Sequence, residues 1–223
     1  MKKRVFILTA CFFLVCCVLN LVGRFANLPL ANIVKPALMP LLALTTIVAL
    51  GGIDSKKAFL LTAAQLFGFA GDTLLIGDGF PFFAGGIGAF LVGHIFYISL
   101  FSKAYKGLKP VQWVISIAVM AVLVAALIIV IGVKGALLPP MAVYGSALMM
   151  LIFCGFMGVV RKLGPEWWFI LCGGVLFTFS DAQIALDTFG TQYPYQGFVI
   201  MLTYLAAQAL LAIGSIKLIK RDA

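Results

Sequence analysis

Charged side chains are scarce in this sequence of 223 residues. Asp, Glu, Lys and Arg make up 10% of it, while 64% of the residues are hydrophobic and the mean hydropathy is +1.17. Soluble globular domains carry about a quarter charged residues, so an ordinary soluble domain is excluded. A membrane-spanning helix takes about 20 apolar residues. The length therefore leaves room for helices and short connections, and none for a sizeable soluble domain.

Side chains that hold metals or cofactors are also few. His94 is the one histidine, and the sequence has neither a zinc-type spacing nor a glycine-rich phosphate loop. We predict no metal and no cofactor. The cysteines all lie in apolar runs without the paired spacing of a disulfide framework, and we interpret them as reduced, buried residues. They are Cys11, Cys16, Cys17, Cys154 and Cys172.

Long apolar runs dominate what remains. Each has about the length of a membrane span, and each ends in a short break rich in glycine, proline or charge. The pattern predicts an all-α integral membrane protein with eight transmembrane helices in a single domain, 1–223. The runs cover 5–22, 31–51, 57–77, 82–102, 111–132, 136–160, 167–187 and 196–216.

The net charge of +9 has to be interpreted by position in such a chain. All but three of the 16 Lys and Arg residues fall in connections on one side, and the exceptions are Arg24, Lys35 and Lys134. The positive-inside rule then predicts cytoplasmic N- and C-termini, in the inner membrane if the source is prokaryotic, and no nucleic-acid partner. Tryptophans at cytoplasmic span starts are predicted interfacial anchors. They are Trp113, Trp167 and Trp168.

An internal similarity at an offset of 109 relates the halves 1–109 and 110–223. It aligns Asp72 with Asp181 and Lys35 with Tyr144. Four helices return a chain to its starting side, so the similarity predicts two parallel repeats in a 4+4 arrangement. A chance match of apolar sequence is the alternative. The repeat also argues against cleavage of the first run, although that run has the outline of a signal peptide.

Eight of the polar side chains within the apolar spans form the candidate set for a site. At about 1.5 Å of rise per residue, the two aspartates and the lysine fall at one level, near the non-cytoplasmic ends of their helices. Tyr144 falls near the same level. His94 and Tyr97 are one helical turn apart, as are Tyr204 and Gln208, so the members of each pair share a helix face. We predict that all eight line one polar pocket. They are Asp72, Asp181, Lys35, His94, Tyr97, Tyr144, Tyr204 and Gln208.

A charged side chain at the bilayer centre costs about 2.5–3.5 kcal/mol of insertion free energy. Charges in this position therefore indicate either a compensating ion pair or a functional role. The structural interpretation is an ion pair of Lys35 with either aspartate, with Tyr and Gln side chains joining helices. The functional interpretation is acid/base chemistry, in which one carboxyl donates a proton and the other orients water. No nucleophile–base triad is visible, and a lone histidine argues against a metalloenzyme.

Six segments, in their order along the chain, resemble the YhhN family, which includes the animal TMEM86 proteins known as lysoplasmalogenases. The resemblance covers nearly the whole chain. The segments are Val34-Lys35-Pro36, Gly71-Asp72, Gly93-His94 with Tyr97, Tyr144-Gly145, Ser180-Asp181 and Tyr204 to Gln208.

The resemblance implies an ether hydrolase that cleaves the vinyl-ether bond of lysoplasmalogens. The products are a fatty aldehyde and glycerophosphoethanolamine or glycerophosphocholine, and the partner is a lysophospholipid in the membrane. Asp72 and Asp181 would then be the acid/base pair, and Lys35 would bind the phosphate or tune an aspartate. The remaining polar side chains would position the head group or water; these are His94, Tyr97, Tyr144, Tyr204 and Gln208.

Three other functions fit parts of the pattern. A proton-coupled transporter also shows parallel repeats with ionisable residues near the midplane. An intramembrane aspartyl protease needs paired aspartates, but only Gly71-Asp72 approaches its motif and a neighbouring lysine is unexpected there. A purely structural scaffold is disfavoured by the cost of burying the polar set.

Overall fold

Helices are the expected form of these apolar runs, because backbone N–H and C=O groups in lipid must pair within their own segment. The computed structural model describes residues 2–189 and 192–222; Gly190, in the predicted break before the last span, lies outside them. All the regular elements among the described residues are helices, as predicted, with eight long helices and two short 3-10 turns. The helices are α1 (Lys2–Phe25), α2 (Leu30–Leu50), α3 (Lys56–Leu74), α4 (Phe80–Leu100), α5 (Pro110–Ile131), α6 (Leu138–Val160), α7 (Glu166–Phe189) and α8 (Gln196–Arg221).

Seven of these helices, in the part of the chain that the structure describes, are long and apolar enough to cross a membrane. The helix that does not meet this criterion is α3, which begins with Lys56 and Lys57 and carries Gln65 and Asp72. These polar residues lower its hydropathy below that of its neighbours. The chain is therefore a multi-pass integral membrane protein, and its third helix is the polar one.

The chain divides into two compact units, of which the first comprises Met1–Leu100 with Ala212–Ala223. In this unit α1 packs on α2, and α3 packs on both α2 and α4. Glycines let α3 and α4 approach closely, as small residues do in membrane bundles. A Cβ atom at Gly93 would lie 3.1 Å from the carbonyl oxygen of Ala64, and one at Gly86 would lie 2.7 Å from Cγ of Leu75.

The second unit comprises Phe101–Leu211, and in it α6 packs on α7 and α5. Trp167 corrects one prediction, because its ring is fully buried in this unit. The ring packs over Gly158, where a Cβ atom would overlap it, and meets the Phe101 ring edge-on at 5.9 Å. It is a core residue and not an interfacial anchor. Trp168, in contrast, is exposed.

The cysteines also differ from expectation. All five are free, but only Cys154 is buried, while Cys11 and Cys172 are exposed and Cys16 and Cys17 are intermediate. The physical reason is that a helix in lipid has an apolar outer face, so an apolar run does not imply burial within the protein.

Candidate active site

A buried ion pair forms the centre of polar residues in the first unit. Nζ of Lys35, on α2, lies 3.6 Å from Oδ1 of Asp72, on α3, and the two side chains are 8% and 3% exposed. This is the pairing expected from the structural interpretation of Lys35. It does not exclude chemistry, because opposite charges at this distance hold a carboxylate in its charged form.

Close packing around Asp72 fixes its helix. Gly71 lets the Phe90 ring of α4 pack directly on the α3 backbone, since a Cβ atom there would lie 2.9 Å from ring atoms. On the other side, Gln65 accepts a hydrogen bond of 2.8 Å from Thr46, which joins α3 to α2. Asp72 is therefore held on a helix that is anchored to both of its neighbours.

The end of α1 adds a cation, Arg24, that was not predicted from the sequence to belong to the site. Arg24 donates a hydrogen bond of 2.7 Å from Nη2 to Oδ1 of Asn32, and its charge interacts with those of Asp72 and Lys35. The only signal in the sequence was a cation at the end of the first run, on the side that the positive-inside rule leaves poor in cations.

A tight turn brings Arg24 to this position. Asn20, fully buried on α1, donates a hydrogen bond of 2.7 Å to the carbonyl oxygen of Ala31 on α2. Gly23 lies so close that a Cβ atom would approach the Ala31 nitrogen to 2.8 Å. The first span, which contains none of the six segments that carry the family resemblance, thus supplies buried and half-buried polar residues to the first unit.

The second unit holds the other aspartate. The Tyr144 hydroxyl of α6 donates a hydrogen bond to Oδ2 of Asp181 on α7, and both residues are buried. One turn before Asp181, Phe177 meets the Tyr204 ring edge-on at 5.5 Å. Gln208 donates a weak hydrogen bond of 3.4 Å to the Tyr204 hydroxyl. Asp181, Tyr144, Tyr204 and Gln208 therefore belong to one packed region of this unit.

His94 and Tyr97 lie in the first unit, each 1% exposed and one turn apart on α4. The His94 ring lies near the backbone of Phe90, one turn earlier on the same helix. That all eight polar side chains line one pocket stays a prediction.

The two clusters correspond at the offset of 109. Lys35 and Tyr144, which align with each other, contact Asp72 and Asp181, which also align. In each unit a residue of the second helix of the half thus holds the aspartate of the third. The described residues contain no group of three His, Cys, Asp or Glu side chains that could hold a metal ion.

Comparisons with known proteins identify the family of this chain. The family model described as YhhN family matches residues 30–215. The lysoplasmalogenase TMEM86B of Mus musculus is 30% identical over 179 residues, 80% of this chain and 73% of its own length. TMEM86B of Homo sapiens is 30% identical over 159 residues (71% and 64%), and human TMEM86A is 31% identical over 163 residues (68% and 63%).

The chain thus spans from 63% to 73% of the length of these relatives. No solved structure matches it. The family match covers most of the chain and includes all eight polar residues, from Lys35 to Gln208. On these grounds the chain belongs to the YhhN family.

Proposed function

We propose that this chain is a membrane-embedded lysoplasmalogenase. It hydrolyses the vinyl-ether bond of alkenyl-glycerophosphoethanolamine or alkenyl-glycerophosphocholine to a fatty aldehyde and the glycerophospho-alcohol. The observation that carries the proposal is that relatives covering 68–80% of the chain bear the name lysoplasmalogenase. Two buried aspartates, each with its own partner, supply side chains suited to the reaction.

The reaction needs an acid and a group that orients water. Protonation of the β-carbon of the vinyl ether forms an oxocarbenium ion, and water adds to the cationic carbon to give a hemiacetal after loss of a proton. The hemiacetal then breaks its C–O bond to the glycerol oxygen, which takes up a proton, and the aldehyde leaves. A positioned carboxyl and carboxylate can carry out each proton transfer. Overall, one water is consumed and no redox partner is required.

The partners of the two aspartates suggest how the roles divide. Asp72 lies beside the Lys35 ammonium, which stabilises a negative carboxylate, so we assign it the base that orients water. Asp181 is buried and its hydrogen-bond partner, the Tyr144 hydroxyl, is neutral; because burial favours the protonated form of a carboxyl, we assign it the acid. His94, Tyr97, Tyr204 and Gln208 then position the head group or water.

The test is aldehyde release by the purified, detergent-solubilised protein. With lysoplasmenylethanolamine as substrate we expect a fatty aldehyde and glycerophosphoethanolamine in equal amounts. The acyl lysolipid of the same chain length is the control, and it should release no aldehyde and no fatty acid. A protein that moved the vinyl-ether lipid across a vesicle membrane unchanged would instead be a transporter.

We further propose that all eight helices span the membrane, as a 4+4 repeat with both termini in the cytoplasm. Contacts in each unit support this. In the first, Lys57 at the start of α3 binds Asp222 beyond α8 at 2.7 Å. In the second, Arg161 after α6 donates to the carbonyl oxygens of Lys103, Ala104 and Lys106. Within each unit, segments predicted on the cytoplasmic side are thus in contact. In a prokaryote the membrane is the inner membrane.

Cysteine labelling in intact cells tests this orientation. Lys134→Cys, in the exposed connection after α5, is expected to react with an impermeant maleimide. Lys106→Cys, exposed in the connection before α5, should react only after lysis. The unsubstituted protein, with its exposed native cysteines, sets the background. If only Lys106→Cys reacted in intact cells, the orientation would be the reverse of the proposed one.

A further inference from the structure

The polar cluster of the first unit carries more positive than negative charge. Two cations, Arg24 and Lys35, interact with the carboxylate of Asp72. The α2 helix begins at Leu30, so the positive end of its dipole lies beside the same side chains. An uncompensated cation is costly within a membrane protein, and an anion that neutralised it would bind strongly.

The Arg24 guanidinium is oriented by one hydrogen bond but does not use all of its donor groups. Its Nη2 is fixed by the exposed Asn32 side chain at 2.7 Å. Its Nε is buried and has no hydrogen-bond partner among the described residues. A buried, unpaired donor on a charged group costs more than the same donor in water, so the site favours a ligand with an acceptor oxygen.

We propose that Arg24, oriented by Asn32, binds together with Lys35 the phosphodiester of a single-chain lipid. This inference rests on the proposed function and names its head-group site. A guanidinium suits a phosphate because its N–H groups form charge-assisted hydrogen bonds in a fixed planar geometry. The phosphate also balances the second cation, so Asp72 and the bound lipid together neutralise Arg24 and Lys35.

The place of Arg24 at the end of α1 fits such a ligand. Lys35 and Asp72 are deeply buried, whereas Arg24 is half-buried and its partner Asn32 is exposed. A lipid phosphate can therefore reach the guanidinium from the membrane surface while its chain stays in the apolar layer. The vinyl ether, on the glycerol side of the chain, would then lie deeper than the phosphate.

Binding of non-hydrolysable lipids tests the inference apart from turnover. The probes are a saturated 1-O-alkyl lysophosphoethanolamine and the phosphate-free 1-O-alkylglycerol of the same chain length, measured by tryptophan fluorescence of the solubilised protein. Arg24→Gln is expected to raise the Kd for the phospholipid about tenfold or more, as loss of a hydrogen bond between charged groups does. The Kd for the alkylglycerol should not change.

Lys134→Gln is the matched control, since Lys134 is an exposed cation in the connection after α5. It should bind both lipids as the unsubstituted protein does. If Arg24→Gln raised the Kd for both lipids equally, Arg24 would have a structural role and the inference would be overturned. An unchanged Kd for the phospholipid would also overturn it. If Arg24→Gln does not fold, Asn32→Ala must lower phospholipid affinity selectively.

The proposed function fails by a different result. A protein that selects the phospholipid through Arg24 yet releases no aldehyde from lysoplasmenylethanolamine would keep the phosphate site and lose the hydrolase assignment. A protein that releases aldehyde with equal kcat/KM in Arg24→Gln would keep the hydrolase assignment and lose the phosphate site.

Discussion

Replacing either Asp72 or Asp181 by Asn is expected to lower kcat/KM for aldehyde release by at least about a hundredfold, the usual contribution of a general acid or base. Asn keeps the size of the side chain but can neither donate a proton as a carboxylic acid does nor accept one as a carboxylate does. In the proposed mechanism both groups act in one reaction, so the double variant should be no slower than the slower single variant. The measurement is the rate of aldehyde release from lysoplasmenylethanolamine.

Two further aspartates provide matched controls. Asp78 and Asp187 each lie six residues beyond a proposed catalytic aspartate, are related by the same offset of 109, and are exposed. Asp78→Asn and Asp187→Asn should retain the unsubstituted rate. Size-exclusion profiles must show that all four variants remain folded. Full activity in both Asp72→Asn and Asp181→Asn would remove the acid/base assignment.

Adding a methyl group where α6 and α7 meet is expected to destabilise the fold. At Gly155 a Cβ atom would lie 2.5 Å from Cα of Leu171, and at Gly158 it would overlap the fully buried ring of Trp167. The first obstacle is backbone and the second is a large ring with no room to move. Overpacking of this kind costs about 1–3 kcal/mol, so Gly155→Ala and Gly158→Ala should each lower the melting temperature.

Gly88→Ala is the matched control, because Gly88 also lies within a helix but a Cβ atom there meets nothing within 4 Å. Alanine is favoured over glycine in a helix, so this variant should melt at the original temperature or above it. Thermal unfolding of the solubilised protein, followed by circular dichroism, makes the comparison. Equal melting temperatures for all three variants would refute the close α6–α7 contact.

The sequence predicted the helices because a bilayer imposes one secondary structure and one length on each apolar run. It was less informative for α3, where Gln65 and Asp72 reduce the hydropathy that identifies a span. The offset of 109 aligned Lys35 with Tyr144 before any contact was known, and each of these residues contacts its aspartate.

Contacts between helices could not be predicted in the same way. Trp167 stands at the start of a span, where lipid-facing anchors are common, and only the packing of α7 on Gly158 places its ring in the core. Arg24 had the position of an ordinary loop cation. Its role depends on the turn that follows α1, which brings its guanidinium to Asn32. Hydropathy carries no information about such a turn.

The assignment of Ala212–Ala223 to the first unit has a consequence for biogenesis. The ribosome delivers α1–α4 first, then the whole of Phe101–Leu211, and only then the segment that completes the packing of the first unit. Nascent chains fold as their units become available. Helices α1–α4 therefore stay in the bilayer without the segment Ala212–Ala223 until synthesis ends. The unit that carries Asp72 completes its packing only after the residues around Asp181 have all been synthesised.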